Sequence, residues 1–279
     1  MNNNQKSFTL LELLVVIAII AILAGVVIAS VVDLRQRARE SKGMQFSQNI
    51  KSTSSVDLTS EWKFNEGSGT TVKDSSGNDI TGTITNATWV DGKLDEALNF
   101  SADESKLIIP ANPIFNPSSE ITIEAWIKSN STTRQQIITE AYGYCCHSDK
   151  HFFIQSNRLY YYARAIGTGG HAYSSQDPNL SSNKWNHVVI AAKTNERPKF
   201  YVNGELRDDP TSTQTYSPVG MHSGLYLTIG SSYNGTGNQV YEFQGNIDEL
   251  RTYKSSFTAK EVQKLYTEGE GRHVATNGK

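Results

Sequence analysis

Residues 8 to 32 read FTLLELLVVIAIIAILAGVVIASVV, an apolar run broken by a single charge, Glu12. From Leu13 to Val32 it continues for 20 residues without a charge. As a helix that stretch is about 30 Å long, enough to cross a bilayer. No proline interrupts it, and Gly25 is its one weak helix former. A secretory signal peptide has a shorter apolar stretch, followed by a small-residue cleavage site. Here the small residue, Ser7, precedes the stretch, so the helix is expected to stay in the mature protein. An ionised carboxylate deep in a bilayer costs about 2.5–3.5 kcal/mol and is usually paired. Glu12 is therefore either a paired, functional charge or one close enough to the interface to snorkel.

The run Lys-Ser-Phe-Thr-Leu-Leu-Glu-Leu-Leu-Val-Val from Lys6 to Val16 resembles the N-terminus of a type IV prepilin or a type II secretion pseudopilin. In that family a membrane peptidase cuts before the Phe, methylates the new amine and leaves the helix as an assembly spike. The resemblance implies a cut between Ser7 and Phe8, with Ser7 standing where the family usually has Gly. It also implies that Glu12 meets the amino terminus of Phe8 on a neighbouring subunit and sets the axial register. The partners so implied are other pilin subunits, a prepilin peptidase and the bacterial inner membrane, and the destination is a cell-surface or periplasmic filament. Basic residues after the helix (Arg35, Arg37, Arg39, Lys42) outnumber those before it (Lys6), against the positive-inside tendency for an N-in helix.

Charge separates the two parts of the chain. The first 51 residues carry six Lys and Arg against three Asp and Glu, while the rest carries 20 against 25, a balance of −5. Nucleic-acid binding needs basic tracks along phosphates, so no nucleic-acid partner is expected. The two cysteines, Cys145 and Cys146, are adjacent, so no disulfide scaffold staples the domain. Neighbouring Cα atoms lie about 3.8 Å apart, below the usual disulfide range, and a vicinal bond would stiffen a loop only.

The cut that the resemblance implies makes residues 1–7 the leader and starts the transmembrane and assembly helix at 8. Composition carries that helix to 51 and marks 52–56 as a Ser/Thr linker. Beyond it the periodicity becomes that of strands, in segments such as EITIEAWIK, HFFIQ, LYYYARA, NHVVIAAK and LYLTIG. Asn203-Gly204 between KFYV and EL signals a type I′ hairpin. Many short strands with turn punctuation predict an all-β antiparallel sandwich. Thr258 to Glu261 has capping-box spacing ahead of Val262, Leu265 and Tyr266, which predicts a short C-terminal helix. Residues 269–279 are expected to form a flexible tail.

Over residues 57–268 the order of EWKFNEGSGTTVKDSSGNDITG, ITIEAWIK, KWNHVVIAAK, KFYVNG and FQGNIDELRTYKSSFTAKEVQKLY is similar to laminin-G-like, concanavalin A-like jelly rolls. Such domains commonly bind carbohydrate or protein, and many hold a calcium ion. Asp74-Ser-Ser-Gly-Asn78-Asp79 is an oxygen-rich turn of the kind that suits calcium, though its spacing is not that of an EF-hand. The resemblance implies that Asp74 and Asp248 converge on one structural calcium, with Asn78 contributing. The competing reading is an Asx turn plus a strand-end carboxylate, both satisfied by backbone amides.

Between Tyr142 and Tyr173 lie six of the 13 tyrosines and three of the six histidines. Aromatic faces with polar tips suit stacking on sugar rings or a protein contact. Tyr142, Tyr144, His147 and Tyr173 fall on apparent loops and are the candidate ligand-binding residues, whereas Tyr160 to Tyr162 are expected to pack a half-buried strand. His187, inside an apolar strand, is expected to be a core histidine. Thiolate and imidazole also suit zinc, but Cys145, Cys146, His147 and His151 match no common zinc spacing.

Catalysis is not expected. The Glu-x-Asp-x-x-Glu strand of laminarinase-type glucanases is missing, Glu120/Glu124 and Asp248/Glu249 have the wrong spacing, and no Gly-x-Ser-x-Gly elbow occurs. The expected function is that of a minor pilin or pseudopilin displaying a lectin-like domain for adhesion to a glycan or surface protein. The rival is a purely structural secretion pseudopilin.

Overall fold

A computed structural model of the chain describes residues 14–17, 19, 57–115, 119–141, 148–165, 169–175, 180–207, 215–217, 226–233 and 239–276. The chain divides into two units, Met1–Val56 and Asp57–Lys279. In the first, residues 14–17 and 19 are helical and exposed. The leader, the remainder of the long helix and the linker lie outside the described residues, as do Ser7, Phe8 and Glu12. Among the described residues no helix is long and apolar enough to cross a membrane.

The second unit is an all-β antiparallel sandwich. One eight-stranded sheet holds β1 (Leu58–Trp62), β4 (Thr88–Asp91), β5 (Glu96–Asn99), β7 (Glu120–Ser129), β12 (Asn186–Lys193), β13 (Lys199–Val202), β14 (Glu205–Leu206) and β18 (Gly245–Tyr253). Its order is β14-β13-β12-β7-β18-β5-β4, with β1 also paired to β18. The other sheet, also of eight strands, holds β2 (Thr71–Val72), β3 (Gly82–Thr85), β6 (Lys106–Ile109), β8 (Gln135–Ala141), β9 (Ser148–Gln155), β10 (Arg158–Ala165), β11 (Gly169–Ser174) and β15 (Tyr226–Ile229). Its order is β11-β10-β9-β8-β15-β6-β3-β2. A small ribbon pairs β16 (Ser232–Tyr233) with β17 (Gln239–Val240).

Alternation decides which side chains meet. In the first sheet Ile123, Ala125 and Ile127 of β7 and Val188, Ile190 and Ala192 of β12 share the inward face, in register Val188↔Ala125 and Ile190↔Ile123. From the second sheet Leu107, Ile138, Phe152, Ile154, Leu159, Tyr161 and Ile229 meet them in one core. In β18 a bulge between Asp248 and Arg251, at Glu249 with φ 48°, restores the alternation. Ile247 and Leu250 therefore point inward, while Arg251 and Tyr253 point outward.

A helix, Ala259–Thr276, follows β18. Its capping box is formed: the Thr258 backbone N–H donates to Glu261 Oε2 at 2.7 Å, and the Glu261 N–H donates to Thr258 Oγ1 at 3.4 Å. Val262 and Leu265 pack with Val189, Ala191, Tyr201, Tyr253 and Phe257 in a second, smaller core. The Asn203-Gly204 turn between β13 and β14 has both φ angles positive, 52° and 79°, as a type I′ hairpin requires. The helix does not give way to a tail at Gly269 but runs on through Thr276. Gly269 lies against the Trp126 indole, where a Cβ would come within 2.7 Å of the ring. Close packing there overrides the low helix propensity that the sequence shows.

Candidate functional site

The two sheets present very different outward faces. That of the first is covered by the C-terminal helix. Trp126 of β7 stacks on Tyr266 of the helix (5.8 Å between centroids) and packs on His187 of β12 (5.1 Å). Lys93 Nζ lies 4.5 Å above the indole and pairs with Glu270 at 2.7 Å. Beneath this layer Arg251 binds Glu61 Oε1 (2.7 Å), Glu124 Oε1 (3.1 Å) and Glu249. His187 Nε2 meets Glu124 Oε2 at 2.9 Å, and Tyr253 donates its hydroxyl to Glu124 Oε1 at 2.8 Å. Burial alone would raise the Glu124 carboxyl, but Arg251, His187 and Tyr253 outweigh it and hold it down to about 2. These groups are engaged with one another and serve the packing of helix on sheet. His187 is the buried histidine the sequence implies.

The outward face of the second sheet has no helix over it among the described residues. In β10 Tyr161 points into the core while Tyr160 and Tyr162 point outward and are half-buried. Phe153 of β9 stacks on Tyr160 with centroids 5.0 Å apart and planes 10° apart. His151 meets Tyr162 edge-on at 5.6 Å. Burial, with Arg134 nearby, lowers the His151 imidazole to about 3, so it is neutral at physiological pH. The Arg134 guanidinium, just ahead of β8, is clamped between Phe153 and Tyr241, 4.2 Å from each ring centroid. Burial lowers the Arg134 pKa, while Tyr241 and Tyr162 act to raise it. Tyr241 is 46% exposed. Gln136, cross-strand from Phe153, is fully buried with neither amide atom hydrogen-bonded.

A cavity lies between the sheets, lined by Ile114, Phe115, Ile123, Ile138, Phe152 and Leu227, with the Glu140–Lys150 ion pair (3.3 Å) on its wall. Its volume is about 40 Å³, room for a few water molecules and too small for a sugar ring.

Several expected site residues are placed elsewhere. Tyr142, Tyr144, Cys145, Cys146 and His147 lie outside the described residues. Tyr173 is a correction: it belongs to β11, in register with Tyr161, and its side chain is buried in the core with its hydroxyl donating to the Thr215 carbonyl at 2.8 Å. Strand pairing with β10 turns it inward, away from any ligand.

The residues named for calcium are not gathered into one donor set. Asp74 Oδ1 accepts the N–H groups of Glu61 and Ser76, each at 2.9 Å, and Oδ2 accepts Ser76 Oγ–H (2.7 Å) and the Ile80 N–H (3.3 Å). Asn78 Nδ2 donates to the Thr59 carbonyl at 3.1 Å. A cation at Asp74 would displace these donors, so Asp74 does not fit the role. Asp248 Oδ2 accepts the N–H groups of Lys93 (2.8 Å) and Leu94 (3.0 Å), on a different turn. Its Oδ1 is buried without a partner, the one atom of the set that fits a bound cation. Among the described residues no group of three or more His, Cys, Asp or Glu is placed to hold a metal.

Arg134, Phe153 and Tyr241 escaped the sequence reading. Alternation in HFFIQ and LYYYARA puts Phe153 and Tyr160 on one face, but nothing local joins Arg134 to Tyr241, which meet where β8 approaches the end of β17: the Gln136 N–H donates to the Tyr241 carbonyl at 2.8 Å.

Comparison with known proteins bears on both units. Residues 101–263 match the model of the concanavalin A-like lectin/glucanases superfamily, in its laminin-G form. Residues 2–28 match the prokaryotic N-terminal methylation motif. Among solved structures, domain 4 of AbnA, a GH43 extracellular arabinanase from Geobacillus stearothermophilus, seen in complex with arabinotriose, is 20% identical. The match covers 75% of this chain and 98% of that one, with a TM-score of 0.58. The binding domain of paraclostridial mosquitocidal protein 1 is 16% identical over 76% of this chain and 52% of that one (TM-score 0.58). The ligand binding domain of botulinum neurotoxin serotype D, in complex with N-acetylneuraminic acid, is 13% identical over 77% and 52% (TM-score 0.57). The chain thus spans about half the length of these toxin domains. At these identities the likeness is one of fold.

Proposed function

We propose a function for a chain that belongs to the concanavalin A-like lectin/glucanases superfamily and carries a prokaryotic N-terminal methylation motif: it is a type IV pilin-like subunit, a minor pilin or pseudopilin, that displays its sandwich as an adhesive, lectin-like domain. The observation that carries this reading is the presence of both features in one polypeptide. The motif supplies processing by a prepilin peptidase between Ser7 and Phe8 and membrane anchoring, and through Glu12 it supplies assembly into a surface or periplasmic filament. The sandwich supplies a surface for glycan or protein. A ligand role is supported by the partly exposed tyrosines Tyr160, Tyr162 and Tyr241 at the second sheet, and by the arabinotriose and N-acetylneuraminic acid bound to proteins of like fold. The reading includes no catalysis: Glu124, the best-placed buried carboxylate, is held by Arg251, His187 and Tyr253 under a helix.

Two measurements test it. Mass spectrometry of the mature protein should find Phe8 at the N-terminus, and filaments sheared from cells should contain the chain. Detergent-solubilised full-length protein should bind saccharides on a glycan array. A blank array with the chain present in filaments would leave a structural pseudopilin. An unprocessed N-terminus would overturn the pilin reading itself.

A further inference from the structure

We propose that β1, held on both of its edges, is the mechanical lock through which tension on the N-terminal unit enters the sandwich. The inference rests on the anchoring part of the reading above and adds the element that carries the load. The methylation motif occupies residues 2–28 and β1 opens the second unit, so a pull between an anchored N-terminus and a held sandwich acts on β1 first. Terminal strands are ordinarily the parts of a fold that fray. β1 is tied down on the β18 side by its register, Ser60↔Thr252 and Trp62↔Leu250, and by the Lys254 N–H donating to the Asp57 carbonyl at 2.8 Å. Side chains double this seam. Thr59 Oγ1–H donates to the Thr252 carbonyl at 2.9 Å, Ser60 Oγ and Thr252 Oγ1 are hydrogen-bonded at 2.7 Å, and Arg251 Nε donates to Glu61 Oε1 at 2.7 Å.

The other edge of β1 is closed by the oxygen-rich turn from Asp74 to Asn78. Asp74 Oδ1 accepts the Glu61 N–H at 2.9 Å, the Ser75 N–H donates to the Glu61 carbonyl at 2.7 Å, and Asn78 Nδ2 donates to the Thr59 carbonyl at 3.1 Å. The turn thus answers backbone groups of Thr59 and Glu61 that face away from β18, as a neighbouring strand would. Asp74 is itself fixed by Ser76 and by the Ile80 N–H. At the end of the strand and just beyond it, Trp62 and Phe64 are fully buried in the core, and the Trp62 indole N–H donates to the Ile80 carbonyl at 3.0 Å. The direction of load matters as well. Leu58 lies beside Tyr253 at one end of β18, while Gly245 at its other end pairs with Ser129 of β7. A pull between Leu58 and the Ser129 end therefore runs along the strands. Antiparallel hydrogen bonds lie across the strands, so such a pull loads all of them together instead of one by one.

The test holds full-length protein, in detergent micelles, in an optical trap by azide-bearing residues at Ser55, just ahead of the second unit, and at the exposed Thr132, just beyond β7. With β1 as the strongest barrier on this path, the first event under rising force should release the roughly 75 residues from Asp57 to Thr132 in one step, up to about 260 Å of extended chain. A first step of only about 70 Å, the chain from Asp57 to Asn78, means that β1 peels away alone and overturns the lock. At constant force Asp74→Ala should shorten the lifetime roughly tenfold, because charge-assisted hydrogen bonds are lost from the edge of the strand. Thr258→Ala, which weakens the C-terminal helix instead, should leave the lifetime within about twofold. Thr252→Val cuts the side-chain seam with β18 while keeping the shape of the residue. It should also shorten the lifetime about tenfold, and it serves if Asp74→Ala does not fold. An unchanged lifetime in folded Asp74→Ala or Thr252→Val, or an equal loss in Thr258→Ala, overturns the lock. Each of these failures leaves the pilin reading standing, since that reading falls instead on an unprocessed N-terminus.

Discussion

Replacing Asp248 by Asn should change how stability depends on pH. The Asp248 carboxylate is sealed between β18 and the turn at Gly92 to Leu94, with one oxygen bonded to two backbone N–H groups and the other to nothing. Burial, then the neighbouring Glu249, push its pKa up to about 8, against the opposing pull of the Leu94 and Lys93 N–H groups. An unfolded Asp titrates near 3.9, so between about pH 4 and 8 the folded protein holds a proton that the unfolded chain has released. Its contribution is complete below pH 4 and is lost as pH rises through 8, at about 1.4 kcal/mol per pH unit. His151 acts in the opposite sense: burial, then Arg134, lower it to about 3, while an unfolded His titrates near 6.5. Stability from that source rises by about 1.4 kcal/mol per unit up to pH 6.5 and is constant beyond. The two slopes cancel between about pH 4 and 6.5, and above 6.5 only the loss from Asp248 remains, about 2 kcal/mol by pH 8. In Asp248→Asn the falling slope is gone, so relative to the natural protein the variant should gain about 4 kcal/mol between pH 5 and 8. Urea unfolding in EDTA can follow Trp62, Trp89, Trp126 and Trp185, which all lie beyond residue 56 and report this unit alone. Parallel stability curves for the two proteins across that range would refute the buried, protonated carboxyl. Repeating the series with calcium adds a second reading, because a cation on Oδ1 would keep the group ionised and abolish the slope.

Four further substitutions follow from the C-terminal helix and the sheet it covers. Gly269→Ala should lower stability by about 1–3 kcal/mol, since its Cβ would meet the buried Trp126 ring at 2.7 Å; Gly271→Ala, with open space at the same helix, should raise it by about 0.5–1 kcal/mol in the same unfolding assay. Arg251→Met should cost about 3–5 kcal/mol by leaving Glu124 and Glu249 buried without their cation, and adding Glu124→Gln should recover part of that loss. Thr258→Ala should remove about 1 kcal/mol by breaking the capping box, with thermal unfolding as the measure.

What the sequence revealed was local, and what it hid was set by distant pairing. The methylation motif, the alternating strands, the Asn203-Gly204 turn and the Thr258–Glu261 cap are each contained in a dozen residues or fewer, and each was legible. Tyr173 was not, because the glycines around it read as loop until β10 supplies a partner strand and turns its ring inward. The end of the last helix was misread for a related reason. Gly269 lowers intrinsic helix propensity, yet Trp126, far away on β7, needs a residue without a side chain at that contact. The calcium set joined Asp74 to Asp248 by resemblance, but their hydrogen bonds belong to two separate turns. Arg134 and Tyr241 meet where the Gln136 N–H of β8 finds the Tyr241 carbonyl just past β17, a contact that no local pattern encodes.

The contrast between the two outward faces follows from where polar groups find partners. Under the helix Arg251 answers Glu61, Glu124 and Glu249, and His187 Nδ1 and Asp248 Oδ1, both unpaired, belong to side chains whose other atom is bonded. On the second sheet the buried Gln136 has both ends of its amide unpaired, and Arg134 leans on two rings with no anion beside it among the described residues. Buried polar groups in folded proteins are nearly always satisfied, so a concentrated shortfall needs a cause. Stability is not that cause: a Leu or Met at either position would pack against Phe153 without the desolvation penalty. What the position does supply is a backbone anchor: the Gln136 N–H donates to the Tyr241 carbonyl and so brings Tyr241 to Arg134. The first sheet, packed on the core by one face and under the helix by the other, gives the second sheet a rigid backing.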